Sequence, residues 1–286
     1  MLTPDNQTAQ AAAERPNIIV IFTDDHGYAD LRCQGVFGDV KTPNIDALAM
    51  LSAVDDGVGR IMETLREHEL EERTLIFVIS DNGAPLKIHK EDAPGNGPGW
   101  DGSLNDPMNG EKGMLTEGGV RTPFLVYWKG TIPAGQIYSN PVISLDVAAT
   151  ANALAGLPDD PILDGVNIIP YLRGEKKGAP HRALYWCWNG QAAIRKGNWK
   201  YLTGGGREYL FDLKSDQEEK TNLFQQHPEL AQSLHADLKA WSQTLQPPGL
   251  DDKISKAAQQ MSKWFSRTCV EEPCKQQFMI EKATIQ

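Results

Sequence analysis

The sequence predicts an α/β fold with a mostly parallel central sheet and a smaller C-terminal antiparallel sheet carrying a packed helix. Three observations carry this. Two short apolar runs rich in β-branched residues, Asn17–Phe22 and Thr74–Ser80, end in Asp24-Asp25 and Asp81-Asn82. An amphipathic stretch stands directly before the second run. Beyond residue 181 the chain turns to short aromatic runs punctuated by glycine.

Residues 1–15 are polar and Ala-rich, a frayed lead-in. Asn17–Phe22 is apolar at consecutive positions, the pattern of a strand covered on both faces. Val54–Leu70 reads as a helix, with Val54, Val58, Ile61, Met62 and Leu65 on one stripe. Thr74–Ser80 is the second buried strand, and helix followed by strand is half of a βαβ unit. Residues 84–111 form a Gly/Pro/Asn-rich loop without apolar period. Pro123–Trp128 is a third strand. Val142–Leu154 is a helix entered through Ser144 and Asp146 and ended by Gly156.

A Pro/Gly-rich connection, 158–181, marks a boundary. After it, Ala183–Trp188, Gln191–Arg195, Trp199–Leu202 and Tyr209–Leu213 predict an antiparallel meander. Pro228–Leu245 is an amphipathic helix, and Ile254 to Phe265 a last one. The domain plan is an α/β core over 15–180, an antiparallel subdomain over 181–246 and a helical tail over 247–286.

Composition sets outer limits. The 286 residues are 40% hydrophobic and 23% charged, enough for a real core. A net charge of −10 argues against nucleic acid and against electrostatic docking on an anionic membrane. An anionic substrate would need a metal or a few placed cations. No run reaches the roughly 18 apolar residues of a membrane span. The first fifteen residues lack the pattern of a signal peptide, so either the protein is cytoplasmic or its targeting segment lies outside this sequence. Of the four cysteines, Cys269 and Cys274 either pair across a short loop or stand as free thiols.

Chemistry concentrates at the two strand ends. Ligands of open parallel sheets bind beyond the carboxyl ends of strands. Side by side, these ends would gather Asp24, Asp25, Asp81 and the amide oxygen of Asn82. That is an all-oxygen set suited to Ca²⁺ or Mg²⁺. Each piece alone also fits an ordinary turn or cap. Lys112, in a glycine-rich segment, is either an exposed loop lysine or a point charge for an anionic oxygen.

Taken together, the segments resemble the sulfatase family. Arg15-Pro-Asn-Ile-Ile-Val-Ile-Phe-Thr-Asp-Asp-His-Gly-Tyr-Ala-Asp30 is similar to its opening strand, and Thr42-Pro-Asn-Ile-Asp-Ala-Leu-Ala49 to the segment that follows. Leu75–Gly83, ending Ser-Asp-Asn-Gly, resembles its second metal-binding strand. Lys112-Gly-Met-Leu-Thr-Glu-Gly-Gly-Val-Arg-Thr-Pro-Phe124 is similar to its lysine segment. Leu145–Thr150 and Asp164–Pro170 fit its later helix and loop. Ala192–Tyr201 and Glu208–Leu213 fit its C-terminal sheet.

The resemblance implies an alkaline-phosphatase-like sandwich and calcium-dependent, arylsulfatase-type hydrolysis of sulfate esters. It makes Asp24, Asp25, Asp81 and Asn82 ligands of Ca²⁺ and gives Lys112 to the sulfate. Glu117, Gly118, Gly119 and Arg121 would shape the turn. The partner implied is a sulfated small molecule or sulfated glycan, and the family is usually exported.

One departure matters. Sulfatases take their nucleophile, a formylglycine, from a Cys/Ser-x-Pro-x-Arg motif downstream of the Thr-Pro-Asn-Ile-Asp segment. No such motif stands in this sequence. The chain passes directly from Ala49 through Met50-Leu-Ser to Ala53, where the family has a long block. Cys33 lies upstream of the motif's place, and His26 and His89 read as turn and loop residues. The reading is a sulfatase with an internal block missing near 49–53, expected to reflect a gene-model or assembly gap or an alternative transcript, and an incomplete or inactive version of the enzyme. Its strands should keep uncovered apolar faces and edges. The alternative is a non-catalytic binder of Ca²⁺ or sulfated glycan. A two-metal phosphoesterase is the weaker reading, for want of His and Asp ligands.

Overall fold

The structure is a computed structural model that describes residues 15–30, 51–85, 104–188 and 190–246. The expected helix at Ile254–Phe265, the tail, Cys33, Cys269, Cys274, His89 and most of the 84–111 loop lie outside them. Among the described residues are two sheets and five α-helices. No helix among them is long and apolar enough to cross a membrane.

The first sheet has the order β1-β2-β3, with β1 at Asn17–Thr23, β2 at Thr74–Ser80 and β3 at Phe124–Tyr127. Asn17 bonds Thr74 at one end and Thr23 bonds Ile79 at the other, so β1 and β2 run the same way. β3 runs against β2. Ser80 donates to the Pro123 carbonyl, while Trp128 and Tyr127 reach back to Glu72 and Glu71. The described sheet is therefore mixed, where a mostly parallel one was expected.

β2 is the central strand, and its run Leu75, Ile76, Phe77 and Ile79 is buried as its unbroken apolar sequence requires. β1 carries an equally apolar run but is not covered on both faces. Val20 is 44% and Phe22 60% exposed. Val20 and Phe22, two residues apart, share one face of β1, and it is that face which stays exposed.

Helix α1, Leu51–Glu67, begins three residues earlier than the apolar stripe alone suggests, and buries Val58 and Leu65, seven residues apart on one face. Helix α2 is the single turn Glu117–Val120. Helix α3, Leu145–Leu154, starts later than expected, and Ser144 makes no side-chain cap. Asp146 replaces it, accepting the backbone N–H groups of Ile143 at 2.9 Å and Val166 at 2.8 Å. Helix α4 is Ile169–Leu172.

The predicted meander forms as β4 (Leu184–Trp188), β5 (Gln191–Lys196), β6 (Trp199–Gly204) and β7 (Arg207–Asp212), antiparallel and in sequence order. Alternation along these strands gives the sheet two apolar faces. Ala193, Leu202, Tyr209 and Phe211 pack with Met114 and Leu115. Ile194, Tyr201 and Leu210 pack under helix α5, Pro228–Ser242, through Ala231, Leu234 and Leu238.

The chain divides into two compact units. Described residues of the first fall within Met1–Ile21, Glu63–Phe77 and Val126–Pro180. Those of the second fall within Phe22–Met62, Val78–Leu125 and His181–Gln286. In the first unit Glu71 is the hub of a polar cluster: Lys129 pairs with it at 2.6 Å and Arg66 at 3.3 Å. The second unit contains the C-terminal ends of β1 and β2, the Lys112 segment and the whole meander. Every candidate site residue belongs to it.

Candidate functional site

The ends of β1 and β2 are tied by backbone and buried side chains before any functional group is placed. Asp81 N–H donates to the Thr23 carbonyl at 3.2 Å. Ser80 Oγ accepts the His26 N–H at 3.1 Å and lies within donor reach of the Thr23 and Asn82 carbonyls. His26 is buried against Thr23, and burial lowers its imidazole to about 4, so the ring is neutral at neutral pH. Its reading as a plain turn residue is corrected: it is part of the packed support beneath the strand ends.

This support aims the carboxylates. Asp25 takes a left-handed φ of 57°, an uncommon conformation that aspartate tolerates better than most residues. Its N–H donates to Asp81 Oδ1 at 3.1 Å, and Asn82 N–H donates to the same oxygen at 2.8 Å. Asp24, Asp25 and Asp81 each bring an oxygen within 4.8 Å of the others. Asn82 Nδ2 donates to Asp25 Oδ1 at 2.6 Å. The three carboxylates that the strand ends should gather come together, and Asn82 joins them through its amide nitrogen rather than the expected oxygen.

Lys112 joins them. Its Nζ lies 2.5 Å from Asp25 Oδ1 and 3.8 Å from Asp24 Oδ1. The hydrogen bond to Asp25 raises its pKa, which keeps the ammonium charged at neutral pH. Its backbone is held by the Ala84 carbonyl at 3.1 Å. Asn105, buried, fixes the surrounding loop by accepting the Ala84 N–H and donating to the Ala84 and Gly110 carbonyls. The stretch 104–111, read as loop, is thus packed: Asn105, Met108, Asn109 and Glu111 are all buried.

Glu117 to Arg121 shape this region, as the sequence implied. Gly83 N–H donates to the Gly119 carbonyl at 3.0 Å, and Gly118 N–H to the Asn109 carbonyl at 2.7 Å. A Cβ on Gly83 would lie 1.8 Å from the Gly118 carbonyl oxygen. Glu117 is buried with its carboxylate 2.8 Å from Lys200 Nζ, and Lys200 also pairs with Glu219 at 2.8 Å. The link from this segment to the meander was invisible in the sequence. Lys200 stands in a strand whose alternation marks it only as inward, with nothing to indicate which carboxylates it meets.

The donor set fits a hard divalent cation. Its atoms are oxygens, they converge, and three carboxylates at this spacing repel one another unless a positive charge stands among them. Lys112 provides part of that charge. The Asn82 amide can turn its oxygen to the same point.

Comparison with known proteins bears on the family. The model described as "Sulfatase" matches residues 45–157, and "N-sulphoglucosamine sulphohydrolase, C-terminal" matches 110–244. Together they run from just before α1 to the end of α5. The chain belongs to the sulfatase family. Asp81, Asn82 and Lys112 lie inside the matched residues, and Asp24 and Asp25 precede them. Among relatives, this sulfatase chain is 35% identical over 163 residues to the steryl-sulfatase of Mus musculus, 56% of this chain and 24% of that protein. It is 39% identical over 153 residues to an arylsulfatase of Hemicentrotus pulcherrimus, 52% of this chain and 26% of that protein. The crystal structure of Ps i-CgsB superposes at a TM-score of 0.62 and 28% identity, covering 80% of this chain and 50% of that one. The sulfatase chain thus spans about a quarter of the length of these curated relatives and half of that structure.

Proposed function

We propose that this chain carries the calcium-binding part of a sulfate-ester hydrolase site and lacks the nucleophile that would complete turnover. The observation that carries the reading is the convergence of Asp24, Asp25 and Asp81 within 4.8 Å beside Lys112. Asp24, Asp25, Asp81 and Asn82 would hold the ion. A bound Ca²⁺ would add positive charge for the sulfate oxygens. With the ion held by these four residues, the Lys112 ammonium would hold a sulfate oxygen as a point charge. The Cys/Ser-x-Pro-x-Arg source of formylglycine is absent from the sequence, so no covalent step is assigned to this chain.

A sulfated saccharide is the favoured ligand class. Ps i-CgsB, 29% identical to this chain, has been crystallised in complex with k-i-k-neocarrahexaose.

Calorimetric unfolding with and without calcium tests the reading, alongside a 4-nitrocatechol sulfate assay. Calcium should raise the melting temperature, because a ligand of the folded state alone stabilises it, and no turnover should be seen. A melting temperature indifferent to calcium would sink the metal site. Turnover abolished by Lys112→Ala would show a complete enzyme and overturn the claim of a missing nucleophile.

A further inference from the structure

The β4–β5 hairpin points to a contact beyond the sulfate. In an antiparallel pair, directly opposed residues share a face. Trp188 opposes Gln191, and Trp186 opposes Ala193. Gln191 is buried and grips the Lys112 segment: its Nε2 donates to the Gly113 carbonyl at 2.8 Å, and its Oε1 accepts the Leu115 N–H at 3.0 Å. Ala193 packs with Met114 and Leu115 on that same face, with Trp186 against them. Trp188 therefore stands on the face that meets the Lys112 segment. The other face is covered, with Tyr185 stacked on Trp241 at 5.1 Å.

Trp188 itself is 54% exposed, the one large hydrophobic of β4 so left. An indole held open on a hydrogen-bonded strand is a costly thing to show to water. The path from it to the Lys112 backbone is short: one cross-strand pairing of about 5 Å, the Gln191 side chain bonded to the Gly113 carbonyl, and one peptide step of about 4 Å. That is the span of a disaccharide or trisaccharide. A single flat ring beside polar backbone suits the apolar face of a sugar. An aryl or steryl group would need an enclosing apolar wall, and Gln191 and Gly190 do not provide one.

We propose that Trp188 is a stacking platform for a sugar ring of a sulfated glycan, one or two rings along from the ring whose sulfate meets Lys112. This rests on the sulfate-ester reading above.

The test is titration calorimetry of the whole chain in calcium, with a sulfated carrageenan hexasaccharide, inorganic sulfate and oestrone sulfate as separate probes. Trp188→Ala should bind the hexasaccharide about tenfold more weakly, the scale of one lost ring contact. Calcium and inorganic sulfate binding should not change, and Trp188→Phe should recover most of the loss. Unchanged hexasaccharide affinity in Trp188→Ala overturns the proposal. So does an equal loss for inorganic sulfate, or a loss confined to oestrone sulfate, which would make the indole an aglycone contact. Wild-type protein that binds neither calcium nor sulfate would fail the earlier reading instead. The hexasaccharide titration is still decided in that case: binding that depends on Trp188 supports the platform, and its absence overturns it.

Discussion

Asp81 shows how one residue serves both architecture and charge. Its Oδ1 accepts two backbone N–H groups, from Asp25 and Asn82, and these bonds need an oxygen but not a negative charge. Asp81→Asn keeps the acceptor and deletes the charge. Calcium affinity should fall at least about tenfold, since one of three clustered carboxylates is lost. The calcium-free melting temperature should stay level or rise, because repulsion among the remaining carboxylates is relieved. Titration calorimetry and thermal unfolding check the two signs separately, and a parallel loss of both would show Asp81 to be structural only. Lys112→Ala should act in the opposite sense on the metal. Lys112 competes for Asp25 at 2.5 Å, so its removal should strengthen calcium binding while weakening inorganic sulfate. The five candidate residues stand out in the sequence because each lies at or near the end of an apolar run or a glycine-rich turn, a position that also fits ordinary turns, and it was the resemblance that gave them their expected roles. Thr23, His26, Ser80 and Asn105 do not stand out. Their worth lies in pairings across 21 to 57 positions, and no local pattern announces a partner so far away.

The elements were legible in type and less so in their ends and surroundings. β2 and the meander have the alternation or apolar continuity that tertiary packing demands, and they form where that pattern is. β1 has the same apolar continuity as β2, yet burial depends on what packs over each face, and the face of β1 that carries Val20 and Phe22 stays open. Glycines show the same dependence on surroundings. Gly83 and Gly57 are alike as letters, but a Cβ on Gly83 would strike the Gly118 carbonyl oxygen, while one on Gly57, inside α1, meets nothing within 4 Å. Gly83→Ala should therefore destabilise by about 1–3 kcal/mol, the usual cost of forced overpacking, and weaken calcium binding by displacing Asn82. Gly57→Ala should stabilise by about 0.5–1 kcal/mol, as alanine replaces glycine in a helix interior. Urea unfolding of the two variants measures the difference. Equal effects would mean that the close approach of the two turns is not maintained in solution.

At the scale of the whole molecule, the buried Glu117–Lys200–Glu219 cluster ties global stability to pH. One lysine, 0% exposed, faces two buried carboxylates, with Arg195 and Arg121 near Glu117. Lys200 keeps a raised pKa: burial pulls it down, but the Glu117 and Glu219 charges outweigh that. Burial opposes ionisation of Glu117 too, yet the Lys200 and Arg195 charges hold its pKa below the ordinary carboxylate range. Glu219 is pushed up to about 7, first by burial and then by the charge on Glu117. A raised carboxyl means that the folded protein holds a proton that the unfolded chain has released. The stability this gives is complete below the ordinary glutamate range near 4.5 and is lost as pH rises towards about 7. His26, lowered to about 4 from 6.5, works in the opposite sense: stability is lost as pH falls through that window. The two slopes overlap and partly cancel, so the melting temperature of the wild type alone is a poor probe. The difference between wild type and Glu219→Gln isolates Glu219. Glutamine keeps an acceptor for the Glu117 N–H, bonded at 2.7 Å, but cannot ionise. The melting temperature of wild type minus that of Glu219→Gln should be greatest near pH 5 and fall by a few degrees by pH 8. A difference that is flat across this range would show that Glu219 is ionised throughout and that Lys200 and its neighbours balance both carboxylates.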